Sequence, residues 1–207
     1  MIRTLALIAL MAMVFVGGYF ATRNQPEPTQ SVENAPVATP PSEWEATMAA
    51  GNTALAAGDL GEAGRQFSLA IALTQGQPPY PTLSLPLTGL GAVYRAQNRL
   101  EDSENTYLQA LGITQDAVGL IHADVATVLM GLAKTIYWHS RYVDAEHLYD
   151  RALDIRLKVF GENHLAVAEA LEALGEVYRA NAMEVDGDVV FGEAAAIRKR
   201  LAERQAP

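Results

Sequence analysis

Cysteine is missing from this chain. Its absence excludes a disulfide framework, a thiolate metal centre and a cysteine nucleophile, as well as the lipid-bearing cysteine of a bacterial lipoprotein. Basic residues are also scarce. Fifteen Lys and Arg against 24 Asp and Glu leave a formal charge of −9, and a nucleic-acid footprint needs clustered cations on one face. Catalytic signatures are lacking too: no H-E-x-x-H, no phosphate-cradling glycine loop and no G-x-S-x-G occurs. Of the histidines, His122 and His164 fall on turns and read as residues that pack or cap the next helix, while His139 and His147 lie in or beside a later turn. Glu169, Glu172 and Glu176 share a helical face that reads as solvated. Glu184, Asp186 and Asp188 echo a calcium loop, but Val189 stands where the loop needs Gly and Ala195 where it closes with Glu. No cofactor, metal or small-molecule substrate is expected, and an enzyme or metalloprotein is the least supported class.

Long apolar runs are confined to the amino terminus. Thr4 to Ala21 carries no charge, and 18 residues of helix reach about 27 Å, close to the hydrocarbon thickness of a bilayer. With Arg3 on one side and Arg23 on the other, residues 1–23 read as a signal-anchor or transmembrane segment oriented amino-terminus-in. The alternative is a signal peptide, although Val16-Gly17-Gly18 is a poor cleavage site. Residues 24–41 hold five prolines and few large apolar side chains, the composition of a disordered linker. Ser42 followed by Glu45 is a capping-box pattern that opens the folded part, 42–207.

Past Ser42 the sequence repeats. Leu90-Gly91-Ala92-Val93-Tyr94 returns as Leu132-Ala133-Lys134-Thr135-Ile136 and as Leu174-Gly175-Glu176-Val177-Tyr178, an offset of 132 − 90 = 174 − 132 = 42. Tyr107, Tyr149 and Phe191 keep that step, as do Ala110, Ala152 and Ala194. A period of this length is the mark of a solenoid of stacked helical pairs. Leu87, Leu90, Val93 and Tyr94 fall at helical spacing, and so do their counterparts in later units. Gly51, Gly91, Ala133 and Gly175 form a small-residue column in the first helix of each unit, and Ala63, Ser103, Ala145 and Gly187 another in the second. Small side chains there let helix axes approach closely while neighbouring aromatics fill the groove. Asn98 and Ser140 stand where the second helix of a unit is expected to be capped. In the last unit a later helix start, capped by Asp188, is expected, followed by a charged terminal face.

These columns resemble the tetratricopeptide repeat, as Gly91, Tyr94, Asn98, Leu100, Ser103, Tyr107, Ala110 and again Ala133, Ile136, Ser140, Tyr142, Ala145, Tyr149, Ala152. The 42-residue stride and the turn Gly161-Glu162-Asn163-His164 are similar to the kinesin-light-chain type. The resemblance implies an all-α solenoid of four helix-turn-helix repeats, with units starting near 44, 84, 126 and 168. It also implies a concave groove lined by first helices, to which Asn52, Arg95, Lys134, Tyr137, Trp138 and Arg179 would contribute. An aromatic pair beside Lys134 and Arg95 would seat an apolar or acidic side chain of a partner, unless Trp138 packs on the next repeat. The paired Asn of kinesin-light-chain first helices is replaced by Thr88-Gly89, Met130-Gly131 and Glu172-Ala173, so that type's ligands do not carry over.

The expectation is therefore a protein-protein adaptor or scaffold with an unknown protein or peptide partner. It would be held by its amino-terminal helix on the periplasmic side of a bacterial inner membrane. The alternative is a secreted, soluble assembly factor.

Overall fold

The computed structural model describes residues 42–74 and 76–205. Among them are eight α-helices and no strand: α1 Glu43–Ala56, α2 Leu60–Ala72, α3 Ser84–Ala96, α4 Leu100–Val118, α5 Ala123–Trp138, α6 Tyr142–Phe160, α7 Leu165–Ala180 and α8 Glu184–Gln205. The anchor and linker expected over 1–23 and 24–41 lie outside the described residues. No described helix is long and apolar enough to cross a membrane.

Helices pair as α1α2, α3α4, α5α6 and α7α8, and each second helix also packs on the first helix of the next pair. Local chemistry sets the starts. Ser42 accepts from the Glu45 amide while its own amide donates to the Glu45 carboxylate, so the expected capping box is formed. His122 and His164 cap α5 and α7, each accepting through Nδ1 from the amide two residues on, at 3.2 and 3.1 Å.

The turns inside the hairpins differ from expectation. Asn98 and Ser140 do not cap the following helices: Arg99 and Arg141 occupy those cap positions, without a side-chain bond. They end the preceding ones instead. With φ of 60° and 59° they adopt the left-handed conformation, which turns the chain so that Arg99 N donates to Tyr94 O and Arg141 N to Ile136 O. That is the six-to-one bond of a Schellman termination. The last helix also differs, starting at Glu184 rather than later and holding Asp188 within it.

The core is built from aromatic rings seated between glycines. Phe67 is fully buried. A Cβ on Gly51 of its own unit would lie 2.8 Å from the ring, and one on Gly89 of the next unit 2.5 Å from it. Tyr107 repeats the arrangement one unit on, against Gly91 and Gly131. Tyr149 is buried among Ala133, Ala173 and their neighbours. Glycine at 89 and 131 is thus a packing requirement, because any side chain would displace a ring worth about 2–3 kcal/mol of burial. Ser103, the polar member of its column, donates to the Gly91 carbonyl at 2.8 Å and lies 2.9 Å from Thr135 Oγ1, so its burial leaves no hydroxyl unpaired.

Loops between units brace the stack from outside. Trp44 Nε1 donates to Thr82 O at 3.0 Å, and the Tyr80 hydroxyl donates to the Asp124 carboxylate at the start of α5.

Candidate functional site

First helices of successive pairs touch one another directly, α1 with α3 and α3 with α5. They therefore occupy the shorter, inner side of the stack and offer a common face. A depression lies between α5 and α7, a cavity of about 310 Å³ lined by Met130, Gly131, Lys134, Tyr149, Glu169, Glu172, Ala173 and Glu176. Ala173 leaves space in this wall because its side chain ends at Cβ.

Charge in this cavity is divided between its walls. Lys134 projects from α5, and three carboxylates project from α7. Two of these already have cations. Glu172 meets Arg198 of α8 at 2.6 and 2.8 Å, and those bonds hold its carboxyl below the usual range. Glu169 lies 3.5 Å from Arg156. Arg156 is buried and also donates to Ala166 O at 2.5 Å. Burial pulls the guanidinium down and Glu169 opposes that. Nothing in a single sequence separates this arginine from solvated ones; what reveals it is its place between units.

The six residues expected in the groove divide into groups. Lys134, Tyr137 and Trp138 lie together on the last turns of α5. Lys134 is exposed, and Trp138 leaves 56% of its surface in solvent, so packing on the next repeat does not consume it. Tyr137 takes Tyr142 as its aromatic neighbour, with ring centroids 5.4 Å apart, rather than Trp138. Arg95, on the last turn of α3, is half-buried. Its buried Nε finds no hydrogen-bond partner among the described residues.

The Arg95 guanidinium acts on the tyrosines of the groove floor. Burial pushes the Tyr107 hydroxyl up and Arg95 opposes it. Tyr149 is driven up by burial, then by the Glu176 carboxylate, again against Arg95. Tyr137 is raised by burial and by Glu176. Arg95, three tyrosines and Glu176 thus form one electrostatic cluster spanning three units. Asn52 stands exposed on α1 in the first unit. Arg179 is engaged within its own hairpin, 2.7 Å from Asp188 and 4.4 Å over the Phe191 ring.

Family models for the tetratricopeptide repeat match residues 87–124 and 124–183, the second and third hairpins and the start of the fourth. The chain is a tetratricopeptide-repeat protein. Among solved structures this repeat protein is similar to BtubC (BKLC) from P. vanneervenii, with 21% identity and a TM-score of 0.68 over 75% of this chain and 63% of that one. It is also similar to a putative kinesin light chain with nearly identical TPR-like repeats from Podosopora anserina, with 16% identity and a TM-score of 0.61 over 78% of each chain. The chain therefore spans under two thirds of the BtubC structure's length, and likeness at these identities bears on the fold alone. No curated protein matches the sequence.

Proposed function

We propose that this repeat protein is an adaptor or scaffold that binds an extended segment of another protein along the inner face of α3, α5 and α7. The observation that carries this reading is the end of α5, where an exposed Lys lines a preformed cavity with an acidic far wall and an exposed Trp stands one turn further along the helix. Exposed tryptophan is a frequent binding anchor, and opposed charges on two walls fix the direction of a bound chain more than its affinity. A segment carrying an acidic side chain toward α5 and a basic one toward α7 fits that arrangement.

The uncharged run from Thr4 to Ala21 between Arg3 and Arg23 supports placing the domain on the outer side of a bacterial-type inner membrane. Carbonate washing of membranes tests the tether, and complete release of the protein rejects it.

A photo-activated crosslinker at Trp138 tests the groove, with one at Leu108 on the second-helix side as control. The expected outcome is one partner trapped from position 138 and lost on Lys134→Glu, while thermal stability stays within ~0.5 kcal/mol because Lys134 is solvated. Equal trapping from both positions rejects the groove. Arg95→Glu is less informative, since it would place a carboxylate among buried tyrosines.

A further inference from the structure

The ends of the stack carry the two halves of one more inter-unit junction, and we propose that copies of this chain associate head to tail through them, α8 of one copy against α1 of the next. Inside the stack every second-helix ring is held from two sides: Phe67 by Gly51 and Gly89, Tyr107 by Gly91 and Gly131. Tyr149 has Ala133 on its own unit and shares a cavity with Ala173 of the next. Phe191 is the same residue one stride on, 149 + 42 = 191. Gly175 meets it as Gly91 meets Tyr107, but no further unit follows among the described residues, and the ring is only half-buried.

The missing receiver is present at the other end. The column 173, 131, 89 steps back by 42 and 42, and by the 40 residues that separate the first two units reaches Ala49. Ala49 is small, lies on α1 and is exposed. In the interior this column meets the preceding unit's ring, and at the first unit no preceding ring stands among the described residues.

The charges agree with the same register. Between the third and fourth units Arg156 reaches Glu169 at 3.5 Å. One stride beyond Arg156 is 156 + 42 = 198, an arginine; the first-unit counterpart of Glu169 is 169 − 42 − 42 − 40 = 45, a glutamate. Both are exposed. Seating α1 of a second copy after α8 would recreate the Arg156–Glu169 contact as Arg198–Glu45 and the Tyr149–Ala173 contact as Phe191–Ala49. It would also bring the last turns of α8, with Arg198, Lys199, Arg200 and Arg204 against Glu203, to the acidic first turn of α1, Glu43 and Glu45. Beside Arg198 an open cavity of about 420 Å³ with Leu165 and Leu201 in its wall leaves apolar surface for the incoming helix. Such an interface joins different surfaces and so propagates or closes a ring instead of stopping at two.

The test is sedimentation of the full chain in mild detergent over a range of concentrations. Wild type is expected to form a concentration-dependent series. Arg198→Glu alone and Glu45→Arg alone should each weaken association about tenfold or more, and an equimolar mixture of the two variants should restore it, because every junction in an alternating chain then pairs opposite charges. Ala49→Trp, on an exposed face, should block association while leaving the helical circular dichroism unchanged. A monomer throughout, or association indifferent to Ala49→Trp and to both charge reversals, overturns the proposal.

Discussion

At the scale of single residues, one column decides how each hairpin turns. Gly58, Asn98, Ser140 and Ala182 all have positive φ, at 78°, 60°, 59° and 60°. Glycine takes this conformation freely and asparagine tolerates it, whereas a Cβ followed by an ordinary side chain costs about 1–2 kcal/mol there. The four positions are therefore not equivalent in strain although their hydrogen bonds are the same. Ser140→Gly and Ala182→Gly are each expected to raise unfolding free energy by about 1 kcal/mol, read from the midpoint of urea denaturation with an unchanged slope. Asn98→Gly should change it by less. The repeat made this column visible, yet its role was not, because Asn and Ser favour helix caps and left-handed turns by the same local bonding. Only the backbone angle separates the two roles.

At the scale of helices and the loops joining them, legibility follows how local the cause is. Ser42 with Glu45, and His122 and His164 ahead of apolar runs, cap helices through contacts two or three residues away, and such contacts are written in the sequence. Long-range braces are not. Tyr80 reaches Asp124 across 44 positions, and no spacing rule pairs a tyrosine in one inter-unit loop with the first turn of the third helix after it. That contact has a pH signature. Hydrogen bonding to the carboxylate pushes the Tyr80 hydroxyl from 10.0 up to about 12. Folded and unfolded chains both hold this proton below pH about 10, so the bond's contribution is complete there; between about 10 and 12 only the unfolded chain has lost it, and the contribution drains away. Tyr80→Phe should therefore be less stable than wild type at neutral pH, with the difference shrinking as pH rises toward 12. A difference that stays constant across that range would mean Tyr80 braces the loop by packing alone.

At the scale of the whole molecule, the stack behaves as a row of nearest-neighbour interfaces, and the candidate site inherits its legibility from that row. The repeat type implies which positions of α3, α5 and α7 face inward. It does not imply how their charges are spent, since Arg156, Arg198 and Asp188 come from the second helices, where no motif marks them. The same one-dimensional order sets where stability resides. Tyr107 is enclosed by glycines from two units and is 2% exposed, whereas Phe191 meets one glycine and carries Arg179 over its ring. Tyr107→Ala should cost about 3–5 kcal/mol, the range for emptying a closed aromatic site, and should break the cooperative transition, since it loosens the junction that joins the halves. Phe191→Ala should cost roughly half as much, and it should leave amide protection in α3 to α6 intact while α7 and α8 exchange faster. Hydrogen exchange on the two variants separates these outcomes. Equal loss of protection along the whole chain for Phe191→Ala would mean that the four hairpins fold as one indivisible unit rather than as coupled neighbours.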